Sequence, residues 1–339
     1  MSPGQRGIRV TISDVARLAG VSNATVSFVL NEKPGGRFSQ ETRQRVLAAI
    51  DALGYRPNAL ARTLSAGSSR FIGVVSDAIA TTPFAGQLIQ GAQDEAWRNG
   101  YVLLIANTGG DRAVEERALG MLLEHQVAGI LYSTWYHRRT LSPYLLKGVP
   151  HVLANCFSDD PTELAVVPDE VQGGRSATRL LLERGHRRVA FLNSVEDAPA
   201  TVGRLKGYRE ALAQFDIPFE HELVLEVGHD QESGFAGISR LLELQHRPTA
   251  VFCYNDRVAM GAFDALRCAG LEVPDDVAIV GFDNQEVIAA HLRPPLTTVG
   301  LPHYEIGARA VQVLLSQGTG SGDGAVHVVA CPEIVRASV

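Results

Sequence analysis

Residues 11–33 read TISDVARLAGVSNATVSFVLNEK, two short helical patterns parted by Ala19-Gly20-Val21-Ser22. Thr11 has the residue type of an N-cap, and Asp14 stands three residues on, so side-chain oxygens can satisfy the first orphan amides and suit the positive end of the helix dipole. The spacing predicts one helix over 12–19, a stop at Gly20, a cap at Ser22 and a second helix over 23–30. On the second helix Val26, Val29 and Leu30 fall at i, i+3 and i+4, facing a core with Ile12, Val15, Ala16 and Val21. The outer face carries Asn23, Ala24, Ser27, Phe28 and Asn31 with no acidic residue, which suits a helix entering a DNA major groove. Phe28 has two readings there, a small surface packing patch or an apolar contact to a thymine methyl.

Charge agrees. Residues 1–70 hold ten Lys/Arg against four acids, a net of +6, whereas residues 71–339 hold 21 bases and 33 acids, a net of -12. A basic head is what attraction to phosphate requires, because the acidic remainder alone would be repelled by a polyanion. Ser39 opens a third helix with Glu41 in its first turn, and Val46, Leu47, Ile50 and Leu53 repeat at helical spacing until Gly54. Tyr55-Arg56-Pro57 then breaks the chain. Residues 58–64 read as a helix of two turns ahead of the linker Ser65–Ser69. Such a helix is shorter than the roughly 12–15 residues at which isolated helices hold, so it should fold conditionally. Leu64 at its end has no evident core to join, and a minor-groove wedge is its functional reading.

From residue 71 short apolar runs alternate with helical patterns. Strands are expected over 71–75, 102–106, 129–133, 151–155, 189–192, 223–227, 250–254 and 277–282, and helices over 84–99, 114–125, 173–184, 203–214, 234–244, 259–269 and 302–317. This is βαβ order, which implies parallel sheets covered on both faces. The strands are too many for one comfortable sheet, so two similar lobes with a cleft between them are expected, with crossings near Pro168, near 297–301 and near Val328. Residues 318–324 (GTGSGDG) read as a surface loop.

In open α/β sheets ligands bind beyond the carboxyl ends of strands. Asn155, Asn255, Asp256, Asp283 and Asn284 lie at such ends, and Arg204 opens the helix after the strand that ends at Leu192. Carboxylates that accept two bonds, with Arg and Asn amides donating in fixed geometry, suit paired hydroxyls and favour a sugar or polyol. Asp256 has the competing role of capping the next helix.

TISDVARLAGVSNATVSFVLNEKP, ETRQRVLAAIDALGYRPNALARTL, GHRRVAFL, PTAVFCYND and VAIVGFDN, in that order, closely resemble the LacI/GalR family of bacterial transcription regulators over Val10 to about Val335. The resemblance implies an all-α helix-turn-helix head and an α/β, periplasmic-binding-protein-like body with two doubly wound parallel-sheet lobes. It also implies a dimer on a near-palindromic operator of double-stranded DNA, with a hinge helix ordered only on DNA and a small-molecule effector, commonly a sugar. By position Asn23, Ala24 and Phe28 take the base-reading places and Leu64 the wedge. The DNA-binding set becomes Thr11, Ser22, Asn23, Ala24, Thr25, Ser27, Phe28, Asn31, Tyr55, Asn58, Ala61 and Leu64. Arg204, Asn255 and Asp283 match effector-contacting positions, and Phe84, Asn155 and His229 match other pocket positions, with Phe84 suited to stack on a sugar face. Many members carry arginine where this chain has Phe28, so the usual guanine contact is not expected.

The expected boundaries are a head at 1–57, a hinge and linker at 58–69 and a body at 70–339. Within the body, lobe 1 takes about 70–168 and 299–328, and lobe 2 takes 169–298 and 329–339. The first ten residues contain no apolar signal core and no run approaches 18 apolar residues, so a cytoplasmic protein without a membrane span is expected. Cys156, Cys253, Cys268 and Cys331 show no CxxC spacing; they read as small core residues, with no disulfide or metal site expected. No GxSxG, Walker, HExxH or dinucleotide-binding glycine motif occurs, so neither an enzyme nor a cofactor is expected. No heptad segment follows the last strand, which favours dimers over tetramers. A regulator with a purine or nucleoside corepressor is the alternative, and a solute-binding protein without a regulatory role is a more distant one.

Overall fold

The computed structural model describes residues 10–30, 38–55, 69–78, 86–317 and 326–339. Asn31, the hinge residues Asn58, Ala61 and Leu64, Phe84 and the loop at 318–324 lie outside the described residues. The chain divides into two compact units, Met1–Ser69 and Arg70–Val339.

In the first unit α1 (Ile12–Ala19) begins with a reciprocal cap. The Asp14 amide donates to Thr11 Oγ1 at 3.4 Å, and the Thr11 amide and hydroxyl donate to Asp14 Oδ2 at 3.0 and 2.7 Å. Gly20 stops the helix in the left-handed conformation at φ 65°. Ser22 Oγ accepts the Thr25 amide at the start of α2 (Asn23–Leu30), and Ser39 does the same for Thr42 ahead of α3 (Gln40–Leu53). Val15, Val26 and Val46 are fully buried, with Ala16, Ala19, Val29 and Ala49 around them and Ile12, Val21, Leu30, Ile50 and Leu53 packed at the edge. Leu47 is the exception to the expected stripe, 44% exposed. The core-facing positions of α3 are Val46, Ala49, Ile50 and Leu53, and a residue next to Val46 points a further 100° round the helix.

The second unit is built on two six-stranded sheets. The first contains β1 (Phe71–Ser76), β2 (Val102–Asn107), β3 (Ile130–Arg139), β4 (His151–Phe157), β5 (Ala165–Pro168) and β11 (Val326–Val329), in the order β11-β5-β4-β3-β1-β2 with every pairing parallel. The second contains β6 (Val189–Ser194), β7 (Val224–Val227), β8 (Ala250–Cys253), β9 (Ala278–Asp283), β10 (Thr297–Gly300) and β12 (Glu333–Ile334), in the order β12-β10-β9-β8-β6-β7, with only the β12 edge antiparallel. Helices α4 (Gly86–Arg98), α5 (Arg112–Glu124) and α11 (His303–Ser316) accompany the first sheet. Helices α6 (Glu170–Glu183), α7 (Pro199–Gln214), α8 (Gln231–Leu242), α9 (Asp256–Cys268) and the short α10 (Glu286–Ala289) accompany the second. Apolar clusters fill both faces of each sheet, as the near-continuous apolar strands require.

The chain crosses between lobes three times, and strands run up to or follow each crossing. The expected lobe change at 298/299 falls inside β10, whose residues pair with β9 of the second sheet through Gly300, so the return to the first lobe comes only with α11. The expected change at 328/329 likewise falls inside β11, which pairs with β5 as far as Val329. Four-residue strands next to a crossing carry too little periodicity to be separated from connecting chain. Cys156, Cys253 and Cys331 are buried as expected, but Cys268, the last residue of α9, is exposed.

Helix pairs within each lobe meet through glycine. A Cβ on Gly91 of α4 would stand 1.9 Å from the Tyr304 carbonyl of α11, and one on Gly307 would stand 2.0 Å from the Leu88 carbonyl. Gly174 of α6 and Gly207 of α7 make the same close approach in the second lobe. Gly307→Ala is therefore expected to push α11 off α4 and cost about 1–3 kcal/mol, read as a lower urea midpoint of the full chain by circular dichroism, with secondary structure retained before the transition.

Candidate effector cleft and DNA-reading face

The cleft is assembled from strand ends of both lobes. On the first-lobe side, the β3–β4 register shifts between Ser133 and Arg138, and the bulged residues Trp135, Tyr136 and His137 line the cavity. The bulge is fastened at both ends. Trp135 N and Arg138 Nη2 donate to the Asp77 carboxylate at 2.9 and 3.0 Å, while Thr134 Oγ1 donates to the carbonyls of Tyr136 and Asn155. Asn155 is held at φ 60° and returns its amide to the Thr134 carbonyl at 3.0 Å. Such positive φ in non-glycine residues is costly and collects at functional sites.

On the second-lobe side, β9 ends at Asp283 (φ 98°), followed by Asn284 (φ 53°). Arg204, on the second turn of α7, is 3% exposed. Its Nε donates to Glu170 Oε2 at 2.8 Å, its Nη1 donates to the Tyr254 carbonyl, and its Nη2 lies 3.8 Å from Asp283 Oδ1. The guanidinium also lies 3.6 Å from the centroid of the Phe282 ring and 4.5 Å from that of Tyr254. His229 stacks on Tyr254 at 5.0 Å and 11° and hydrogen-bonds to Ser194 through Nε2. Of these groups the bulge residues, Asn155, Glu170, Arg204, His229, Tyr254 and Asp283 border a cavity of about 260 Å³.

Among the expected pocket residues, Asn155, Arg204, His229, Asn255 and Asp283 all border this cavity, whereas Phe84 lies outside the described residues. Asn255 has a structural task there: its Oδ1 accepts the Val258 amide and caps α9, and its Nδ2 donates to the His229 carbonyl at 3.2 Å. The cap expected of Asp256 thus belongs to its neighbour. Asp256 is wholly buried, accepting from the Gln285 amide at 2.6 Å and from Thr298 Oγ1 at 2.7 Å. Sequence reasoning missed Trp135, Tyr136, His137, Glu170, Tyr254 and His303. The polar and aromatic run beyond the apolar stretch 129–133 was the signal for the first three, and Glu170 and His303 follow directly on lobe crossings.

The buried charges are graded. Burial pushes the Glu170 carboxyl up, but the charge of Arg204 and the hydrogen bond with His137 prevail and hold it at about 2. At Asp283 burial outweighs Arg204 and raises the carboxyl to about 6. Burial lowers His303 to about 4 and also lowers His229. Asp256 stands well above the usual carboxylate range through burial and the neighbouring Asp283.

On the DNA-reading side, Thr11, Ser22, Asn23, Ala24 and Phe28 are exposed, Thr25 and Ser27 are half-buried, and Asn23 Nδ2 donates to Ser13 Oγ at 3.2 Å. Tyr55 packs against the head core, half-buried. The exposed Phe28 ring, 45% accessible, sits on the side of α2 away from Val26 and Val29.

Comparisons with known proteins match both units. The model for bacterial regulatory proteins of the lacI family matches residues 11–58, and the periplasmic binding protein-like domain matches residues 178–339. The HTH-type transcriptional repressor PurR of Vibrio atlanticus (strain LGP32) is 35% identical over 310 residues, 91% of each chain. The ribose operon repressor of Haemophilus influenzae (strain ATCC 51907 / DSM 11121 / KW20 / Rd) is 35% identical over 308 residues, again 91% of each. Among solved structures, a lac repressor dimer bound to operator and the anti-inducer ONPF aligns with TM-score 0.77 and 26% identity over 98% of this chain and 99% of that one. A transcriptional regulator CelR–cellobiose complex aligns with TM-score 0.67 and 31% identity over 98% and 100%. The chain belongs to the LacI family of bacterial regulatory proteins. It is a DNA-binding transcriptional repressor and not an enzyme. Among the described residues no helix is long and apolar enough to cross a membrane.

The graded charges give a direct test. With its folded pKa raised to about 6 from the ordinary 3.8, Asp283 contributes stability that is complete below about pH 4 and is lost as pH rises through 6. Relative to Asp283→Asn, the protein should lose up to about 3 kcal/mol between pH 4 and 7, measured by urea denaturation at each pH.

Proposed function

We propose that this repressor binds a near-palindromic operator as a homodimer, in the cytoplasm, under control of a neutral effector of monosaccharide size, a sugar or polyol. The observation that carries the effector reading is the cleft's combination of the Asp283 carboxylate at a strand end with the flat His229–Tyr254 stack. A carboxylate accepts paired hydroxyls while an aromatic face covers the apolar side of a sugar ring. The ribose operon repressor and the cellobiose complex among its relatives support this chemistry. A purine is the second reading, favoured by the PurR relatives and by Trp135 and Tyr136, whose rings add further aromatic surface.

The dimer is supported by the solved relative on operator and by apolar surface at one edge of the first sheet, where Val102 and Ile105 of edge strand β2 are exposed along with Trp97 on α4. The DNA-contacting set we propose is the one expected from sequence: Thr11, Ser22, Asn23, Ala24, Thr25, Ser27, Phe28, Asn31, Tyr55 and the hinge residues Asn58, Ala61 and Leu64. In the coupling we propose, effector in the cleft changes lobe closure, which changes the spacing of two linkers in the dimer and so the folding of the hinge helices on DNA.

A thermal-shift screen of sugars, polyols, purines and nucleosides tests the effector. A sugar or polyol at 100 times its Kd should stabilise the protein by about 2.7 kcal/mol, and stabilisation by purines alone would replace the reading. For DNA, the protein should retard a palindromic site with affinity falling steeply as salt rises, and Phe28→Ala should weaken that site over random DNA by about tenfold without lowering the head's melting temperature. Binding that ignores sequence at every salt concentration would overturn the operator reading.

A further inference from the structure

Glu170 is the first residue of α6, set by the Asp169 cap whose Oδ1 accepts the Gln172 amide at 2.8 Å. Its carboxylate is 5% exposed and lies at the junction of the lobes, with Oε2 on Arg204 Nε and Oε1 3.4 Å from His137 Nδ1. Arg204 is the buried cation of the cleft, and its bonding is taken up by the protein. Glu170 holds Nε, the Tyr254 carbonyl holds Nη1, Asp283 faces Nη2, and the Phe282 and Tyr254 rings lie against the guanidinium. A planar guanidinium is the group best shaped to grip a ligand's carboxylate or phosphate. Here the counter-anion is already built in.

The remaining charges do not restore an anion site. Among the charged residues that line the cavity, Glu170, Glu196 and Asp283 outnumber Arg204 and Arg257. Two imidazoles bring buried ring nitrogens without a hydrogen bond to the cavity, His137 through Nε2 and His303 through both nitrogens, and burial holds His303 neutral. A neutral imidazole offers one donor and one acceptor, which matches a hydroxyl or a neutral ring nitrogen.

We infer that Glu170 sets the charge selectivity of the cleft, occupying the anion-binding edge of Arg204 so that neutral effectors are accepted and sugar acids, sugar phosphates and anionic purines are rejected. This rests on the cleft being the effector site, as proposed above, and does not depend on which neutral ligand occupies it.

Calorimetry on the full chain with pairs matched in shape tests it: glucose and glucuronate, ribose and ribose 5-phosphate, hypoxanthine and urate. Whichever pair supplies a ligand, the neutral member should bind at least about a hundredfold tighter, and Glu170→Gln should narrow that ratio by about tenfold or more. An anionic member that binds the unaltered protein as well as its neutral partner overturns the inference. Which pair binds separately decides between sugar and purine. A second measurement needs no effector. Glu170→Ala leaves the Arg204 edge open to a small carboxylate, so sodium formate should raise its melting temperature above that in sodium chloride at equal ionic strength, with no such difference in the unaltered protein. Should the variant be recovered unfolded, refolding yield in formate against chloride gives the same comparison. Equal behaviour in the two salts overturns the inference.

Discussion

The ion pair between Glu170 and Arg204 is the contact on which the cleft is built. Taking two charges out of water costs several kcal/mol per ion, and the cost is offset only by good geometry with the remaining polar atoms bonded. The second lobe meets both conditions through its backbone. A Cβ on Gly203 would meet the Glu170 Cβ at 2.6 Å, and one on Gly174 would meet the Arg204 carbonyl at 2.4 Å, so glycine at these places lets α6 and α7 approach closely enough to join the pair. His137 then reaches Glu170 from the first lobe, which makes the same carboxylate a bridge between lobes.

Around this pair the cleft stores strain and unspent polarity. Asn155, Asp283 and Asn284 hold positive φ, at a cost on the order of 1–3 kcal/mol each. The cost is borne because the neighbouring bonds over-determine those residues. Asn155 is pinned by Thr134 on both its amide and its carbonyl, and Asn284 Oδ1 accepts Arg336 Nη2 at 2.8 Å. The raised Asp283, the unbonded Nε2 of His137 and the unbonded imidazole of His303 are the complementary sign, groups whose polar demand the protein itself leaves partly unmet.

Much of the head was readable in the sequence because its determinants are local. The Thr11–Asp14 box, Gly20, Ser22 and Gly54 each act within one turn of chain, and α1 starts and stops, α2 starts and α3 stops where those residues place them. The long apolar strands of the body were readable for the same reason. The short strands β5 and β10 to β12 were not, since two to four residues beside a crossing owe their strand state to partners such as β9 and β4 far along the chain. In the cleft, polar residues at strand ends could be found by rule, but the helix cap fell to Asn255 and not to Asp256, because which side chain turns toward a helix end is decided by packing.

The sequence by itself determined the class: a basic helix-turn-helix head with a phenylalanine on its reading face, and alternating strands and helices that could only fold as covered parallel sheets. Those properties follow from residue type and near-neighbour spacing. Only the tertiary structure decided what the cleft presents to a ligand. Glu170, Arg204 and Asp283 come from three separate βα units, and His137 comes from the opposite lobe. Their charges take meaning from distances of 2.8 to 3.8 Å in a buried setting, and no local pattern encodes such distances.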